Sequence, residues 1–100
     1  ILFTGRRFTA EEAKDMGFVS RIMTLEELAP YVTDYAASIA ANAPLSIRAT
    51  KMIVRELIKD PESRDNDGCD AAVAACGTSS DYVEGYQAFL EKRKPQFVGR

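Results

Sequence analysis

Apolar residues recur along this chain at spacings of three and four over most of its length, a pattern that predicts a mainly helical fold. Thr9 and Glu12 have the spacing of a capping box, in which hydroxyl and carboxylate satisfy each other's orphan amide donors, so a short helix is expected from Ala10 to Met16. Gly17 stands where that helix would close in a left-handed turn. The brief run Phe18-Val19-Ser20-Arg21-Ile22 reads as β-type. Thr24 and Glu27 form a second capping box, and Leu25, Leu28, Val32, Tyr35 and Ile39 then draw one apolar stripe along a helix reaching about Ala41.

Pro44 suits the first turn of a third helix, where its missing N–H has no partner to lose, and Asp60-Pro61 stops that helix after Lys59. At 100° per residue Leu45, Ala49, Met52, Ile53 and Leu57 fall on one side and Ile47, Val54 and Ile58 nearly opposite. Two apolar faces require two neighbours, the second from this chain or from another subunit. Asp60 to Asp70 carries five acids and one Arg and reads as a solvated loop. A small helix from Asp70 to Gly77 follows, with Cys69, Ala72, Val73 and Cys76 on one side. Ser79 to Asp81 cap a last helix whose stripe is Tyr82, Val83, Tyr86, Phe89 and Leu90, with Pro95 closing it after Glu91-Lys92-Arg93-Lys94.

One hundred residues leave room for one globular unit, and thirteen Lys and Arg against fifteen Asp and Glu make no cationic field for nucleic acid or an acidic membrane. No run is long and apolar enough for a membrane span. The first residue is Ile rather than Met, as expected of a piece cut from a longer protein. The absence of histidine excludes a Ser-His-Asp or Cys-His device and an imidazole base on these residues. Cys69 and Cys76 lie seven apart, a helical rise of about 10 Å where a disulfide needs Cα atoms within roughly 7 Å, so they read as free thiols used as small hydrophobes.

Four sets of residues suggest chemistry. The acid pairs Glu11-Glu12 and Glu26-Glu27 suit general acid and base work, but adjacent helical residues point about 100° apart and both pairs lie in first turns, so capping is the expected role. The acids of 60–70 miss the register of a calcium loop, and no metal site is expected. Arg6-Arg7 after Gly5 reads as a solvated turn. The stretch from Glu91 to Arg100 sets four cations against one acid beside Phe89 and Phe97. Cations next to rings can hold a nucleotide; cations that complement the dipole of a helix C-terminus are the plainer reading.

Leu2-Phe3-Thr4-Gly5-Arg6-Arg7-Phe8, Ala10-Glu11-Glu12-Ala13 and Gly17-Phe18-Val19 resemble the stretch after the catalytic core in the enoyl-CoA hydratase/isomerase (crotonase) family. So do Ile39-Ala40-Ala41-Asn42-Ala43-Pro44-Leu45 with Arg48-Ala49-Thr50-Lys51, and Glu84-Gly85 with Ala88 through Pro95 and Phe97. The stretch from Asp60 to Thr78 departs from the longer helix expected there. The resemblance implies the C-terminal helical segment of a crotonase, ClpP-like spiral fold, with four to five helices, residues 1–23 ending the spiral core and 24–100 forming an oligomerisation and CoA-covering region. It implies an acyl-CoA substrate, no separate cofactor since coenzyme A is part of the substrate, and a homo-oligomer, trimer or hexamer. It implies a cytoplasmic location if the source is bacterial. Phe89 and Lys92 match the aromatic and lysine that the family lends to the adenine end of CoA, with plain core as the other reading of Phe89. The oxyanion hole and catalytic glutamates would lie upstream, leaving this chain inactive alone. The alternatives are another acyl-CoA reaction of the same family (isomerase, dehalogenase, decarboxylase) and a non-catalytic helical interaction module.

Overall fold

The computed structural model describes residues 3–100; Leu2, part of the first family-like block, lies outside them. Among the described residues there are five α-helices: α1 (Ala10–Asp15), α2 (Leu25–Ala40), α3 (Pro44–Leu57), α4 (Asn66–Gly77) and α5 (Ser80–Leu90), with a 3-10 turn at Pro61–Ser63. The mainly helical expectation is met. The β-type run is not: 18–22 is irregular, because the N–H groups of Phe18 and Val19 both turn back to the Ala13 carbonyl, at 2.8 and 3.3 Å, to close α1. The described residues hold no strand for such a run to pair with.

Contacts divide the chain after Tyr35 into two compact units. In the first, the Thr9 hydroxyl accepts from the Glu12 amide at 3.2 Å and the Glu12 carboxylate accepts from the Thr9 amide at 2.9 Å. Arg6 adds an ion pair to Glu12 at 3.1 Å, so the Arg6-Arg7 turn serves the cap. Gly17 has φ +71°, and the bonds from its own N–H to Lys14 and from Phe18 to Ala13 complete a Schellman closure. Phe18 then meets the Phe8 ring edge to face at 6.0 Å. Thr24 and Glu27 reproduce the reciprocal cap at the start of α2, with bonds of 3.1 and 3.3 Å. One member of each acid pair, Glu12 and Glu27, thus caps, and Glu11 and Glu26 lie beside them in the first turns.

The apolar stripe of α2 is real but uncovered: Leu25, Leu28, Val32, Tyr35 and Ile39 are between 45% and 87% exposed. The helix also contains Pro30, which removes one amide donor from its interior.

In the second unit α3 packs on α4. Ala49 is buried, and Leu45, Met52 and Ile53 are half-buried, which matches one predicted face; Leu57, Val54 and Ile58 remain exposed. The helix ends at Leu57, two residues before the expected Lys59, because Arg64 folds back to cap it. Its guanidinium donates to the carbonyls of Leu57 and Lys59 at 3.0 and 3.2 Å. Glu56 closes the same corner, accepting from the Asp65 amide at 2.9 Å and from Lys59 at 2.7 Å, and these donors hold its carboxyl below the usual range.

Asp65 then accepts from the Gly68 amide at 2.9 Å and starts α4 at Asn66, four residues before the expected Asp70. The predicted acidic loop is therefore half cap and helix. Cys69 and Cys76 are free and half-buried on α4, and burial with neighbouring carboxylates pushes the Cys69 thiol up, away from a reactive thiolate.

Gly68 is where this corner is tightest. A Cβ there would come within 2.2 Å of the Asp65 carboxylate and 2.8 Å of the Met52 methyl, whereas a Cβ at Gly77 would meet nothing within 4 Å. Alanine normally stabilises a helix relative to glycine. We predict that Gly77→Ala gains about 0.4–1 kcal/mol while Gly68→Ala loses about 1–3 kcal/mol. Thermal unfolding of the two variants checks this, and equal shifts would contradict it.

Candidate functional site

The residues singled out for ligand contact sit at the end of α5, and the way that helix ends decides where they point. The reading that the helix runs through Lys94 is corrected: it stops at Leu90, with Glu91 as the C-cap. The Arg93 amide bonds the Ala88 carbonyl at 3.0 Å and the Lys92 amide bonds the Phe89 carbonyl at 3.3 Å, the two bonds of a Schellman closure. Lys92 occupies the left-handed position with φ +55°, the one described non-glycine residue with positive φ. It is therefore not a helical neighbour of Phe89, as a spacing of three along a helix would make it. Main-chain bonding joins the two residues, and Lys92 leaves the helix in a direction of its own.

Beyond Arg93 the chain reverses and runs back along α5 as an extended strap. The Glu84 carboxylate receives both ends of the reversal: the Arg93 guanidinium in a fork at 2.6 and 2.9 Å, and the Gln96 amide at 2.7 Å. Arg93 also meets Glu91 at 2.5 Å. One turn earlier Asp81, 2% exposed, accepts from the consecutive amides of Val98 and Gly99 at 2.7 and 2.8 Å. Its own amide and the Ser80 hydroxyl donate to the Arg100 carbonyl. Ser79 caps the helix, accepting from the Tyr82 amide at 3.0 Å. Of the four cations near the chain end, Arg93 is thus committed to carboxylates.

Next to Glu84 is Gly85, where a Cβ would stand 3.5 Å from Phe97 Cε1, so the bare helix surface lets the Phe97 ring lie close. Gly99, at φ +81°, brings the strap against Pro44 at the start of α3. Together these elements frame an open, mainly apolar groove of about 460 Å³ whose walls include Leu45, Tyr82, Tyr86, Phe89 and Phe97. Phe89 is 81% exposed in it. Lys92 stands outside the groove wall.

The electrostatics favour holding over reacting. Glu12, Glu27, Glu56 and Glu84 are all lowered from the ordinary carboxylate value by hydrogen bonds to their charged forms. A general base or acid working near neutrality needs the opposite shift. Glu84 goes furthest, to about 2, with the Arg93 fork as the largest cause and the Gln96 amide next. The described residues contain no group of three or more metal-ligating side chains, and no helix among them is long and apolar enough to cross a membrane.

Residues 1–100 match the family model described as enoyl-CoA hydratase/isomerase, and the chain belongs to that family. It is 36% identical over 101 residues to methylmalonyl-CoA decarboxylase of Escherichia coli (strain K12), covering 99% of this chain and 39% of that protein. It is 36% identical over 104 residues to carnitinyl-CoA dehydratase of Citrobacter koseri (strain ATCC BAA-895 / CDC 4225-83 / SGSC4696), covering 100% of this chain and 40% of that protein. Among solved structures, an enoyl-CoA hydratase/carnithine racemase from Magnetospirillum magneticum superimposes with a TM-score of 0.87 at 31% identity, over 100% of this chain and 37% of that one. A probable enoyl-CoA hydratase/isomerase from Mycobacterium abscessus gives 0.85 at 32%, over 98% and 38%. The fold is that of these proteins, and the chain spans about two fifths of the length of the curated relatives it matches.

Asp81 and Glu84 do not stand out as a pair in the sequence, where Asp81 reads as a cap residue. The available signal was two acids three apart, then Gly85, with Arg93 following within the reach of one chain reversal. Acid should undo the arrangement in a defined direction. Glu84 is depressed in the folded state, so its contribution is fully present above the unfolded carboxylate value of 4.5 and disappears as pH falls toward about 2. Amide exchange at Gln96, corrected for intrinsic rate, is expected to accelerate across that interval in the wild type and to lose the dependence in Glu84→Gln. A flat wild-type profile would contradict it.

Proposed function

We propose that this chain is the C-terminal helical part of an acyl-CoA enzyme, one that contributes subunit assembly and part of the CoA-binding surface while the bond-making groups lie on polypeptide outside these residues. The relatives act on thioesters whose acyl groups differ, among them methylmalonyl-CoA and carnitinyl-CoA, and the shared portion of those substrates is coenzyme A itself. A segment common to such proteins is best used on the common part of their ligands. The hydration of a 2-enoyl-CoA is the reaction favoured here for the whole protein. No separate cofactor is required, and trimeric or hexameric assembly supplies cover for the apolar stripes of α2 and α5.

Within this reading Phe89 offers an exposed ring for the adenine end of CoA and Lys92 an ammonium for the charged groups near it. The observation that carries the assignment is the backbone of Lys92. A side chain in the left-handed region costs about 1–2 kcal/mol that glycine would not incur, and the equivalent position after α1 is Gly17. A lysine held there at such a cost is explained by work for its ammonium.

In the full-length protein, Lys92→Ala is expected to raise KM for the CoA ester by about tenfold, the equivalent of 1.4 kcal/mol, while kcat changes less than twofold. Lys92→Gly should show the same loss while unfolding at a higher temperature, by up to about 1 kcal/mol of added stability. A fall in kcat alone, or an unchanged KM in both variants, overturns the assignment. The isolated 100 residues should show no turnover of crotonyl-CoA; turnover abolished by replacing Glu11, Glu12, Glu26 or Glu27 would refute it.

A further inference from the structure

We infer that Glu84 and Asp81 are positioning residues for the CoA contact, acting through the strap that they hold; the inference rests on the reading of Lys92 as that contact. Lys92 has a main chain that only its neighbours can keep in place. On one side is the end of α5, on the other Arg93, and Arg93 is fixed twice, by its amide on Ala88 at 3.0 Å and by its guanidinium on Glu84 at 2.6 and 2.9 Å. The Glu84 carboxylate then takes the Gln96 amide at 2.7 Å, so a single side chain spans the whole reversal that begins at Lys92.

Without Glu84 nothing on α5 replaces the fork. The Arg93 guanidinium then keeps Glu91, two residues away, and the adjoining Lys94 carbonyl, which restrain its side chain and not the path of the strap. The left-handed backbone at Lys92 is then held by the two closing bonds of α5 alone, and the lysine is less firmly placed. Asp81 does the same for the far end of the strap. Buried and bonded to two successive amides, it fixes Phe97 between them and Gln96, with the ring against Gly85 in the groove wall. Glu84 therefore sets the lysine and Asp81 the ring, Glu84 through three accepted bonds and Asp81 through two.

The test is a double-mutant cycle on binding of coenzyme A to the full-length protein, measured by calorimetry on the wild type, Glu84→Gln, Lys92→Ala and the double variant. Glu84→Gln is expected to weaken Kd about three- to tenfold and to speed amide exchange at Gln96, and in the Lys92→Ala background it should weaken Kd no further. Arg93→Lys, which keeps the charge and loses the fork, should give a smaller loss of the same kind and serves if Glu84→Gln does not fold. Additive losses would mean that Glu84 acts on stability alone and would overturn the inference, as would an unchanged Kd in a variant whose Gln96 amide has become labile. If Lys92→Ala itself leaves Kd unchanged, the reading of Lys92 has failed. A loss on Lys92→Ala that no strap variant reproduces leaves that reading standing and sinks only the role given to Glu84.

Discussion

Apolar surface exceeds what these helices can cover for one another, and most of the structure follows from that imbalance. The buried apolar residues among those described are Ala13, Ala49 and Ala88, one methyl each. Burial stabilises by roughly 25 cal/mol per Å² removed from water, so three alanines supply very little of it. The large side chains that should dominate a core, on α2 and α5 above all, face outward. Local order is therefore carried by polar devices at helix ends: two capping boxes, the Glu56 and Arg64 corner, and the strap on α5. Such contacts are worth about 1 kcal/mol each, enough to shape the segments and not to replace a core.

The same devices explain why the site looks prepared for binding. Every glutamate whose proton affinity moves is moved downward, because each has been recruited to hold amides or guanidinium groups. A carboxylate so engaged is a structural anion and has little left to offer in proton transfer. The groove beside α5 has rings and a bare glycine surface instead, the materials for contact with a flat or apolar partner.

Where a residue's role depends on its near neighbours, the sequence reading succeeded. Thr9 with Glu12, Thr24 with Glu27, Gly17 and Pro44 act within one turn, and each starts or stops a helix where its spacing says. Errors arose where a distant group intervened. Phe18 to Ile22 has β-type residues, but its first amides are taken by Ala13. The end of α3 moved because Arg64 reaches back to it, and the start of α4 because Asp65 caps it. The last helix is shorter than its residues suggest since Lys92 takes a conformation that its residue type disfavours, and Arg93 beyond it is taken by Glu84. Phe89 and Lys92 are named by likeness to a family; Asp81 and Glu84 meet the strap only once the chain has doubled back, which no periodicity reveals.

The strap is gripped almost wholly by its main chain. Gln96, Val98 and Gly99 present N–H groups to Glu84 and Asp81, and the carbonyl of Arg100 receives the amide of Asp81. Replacing the side chains at 96 and 98 consequently leaves the grip in place, and only proline, which has no N–H to give, is barred from both. A segment whose own side chains carry little of the grip is thus fastened by two carboxylates on the neighbouring helix.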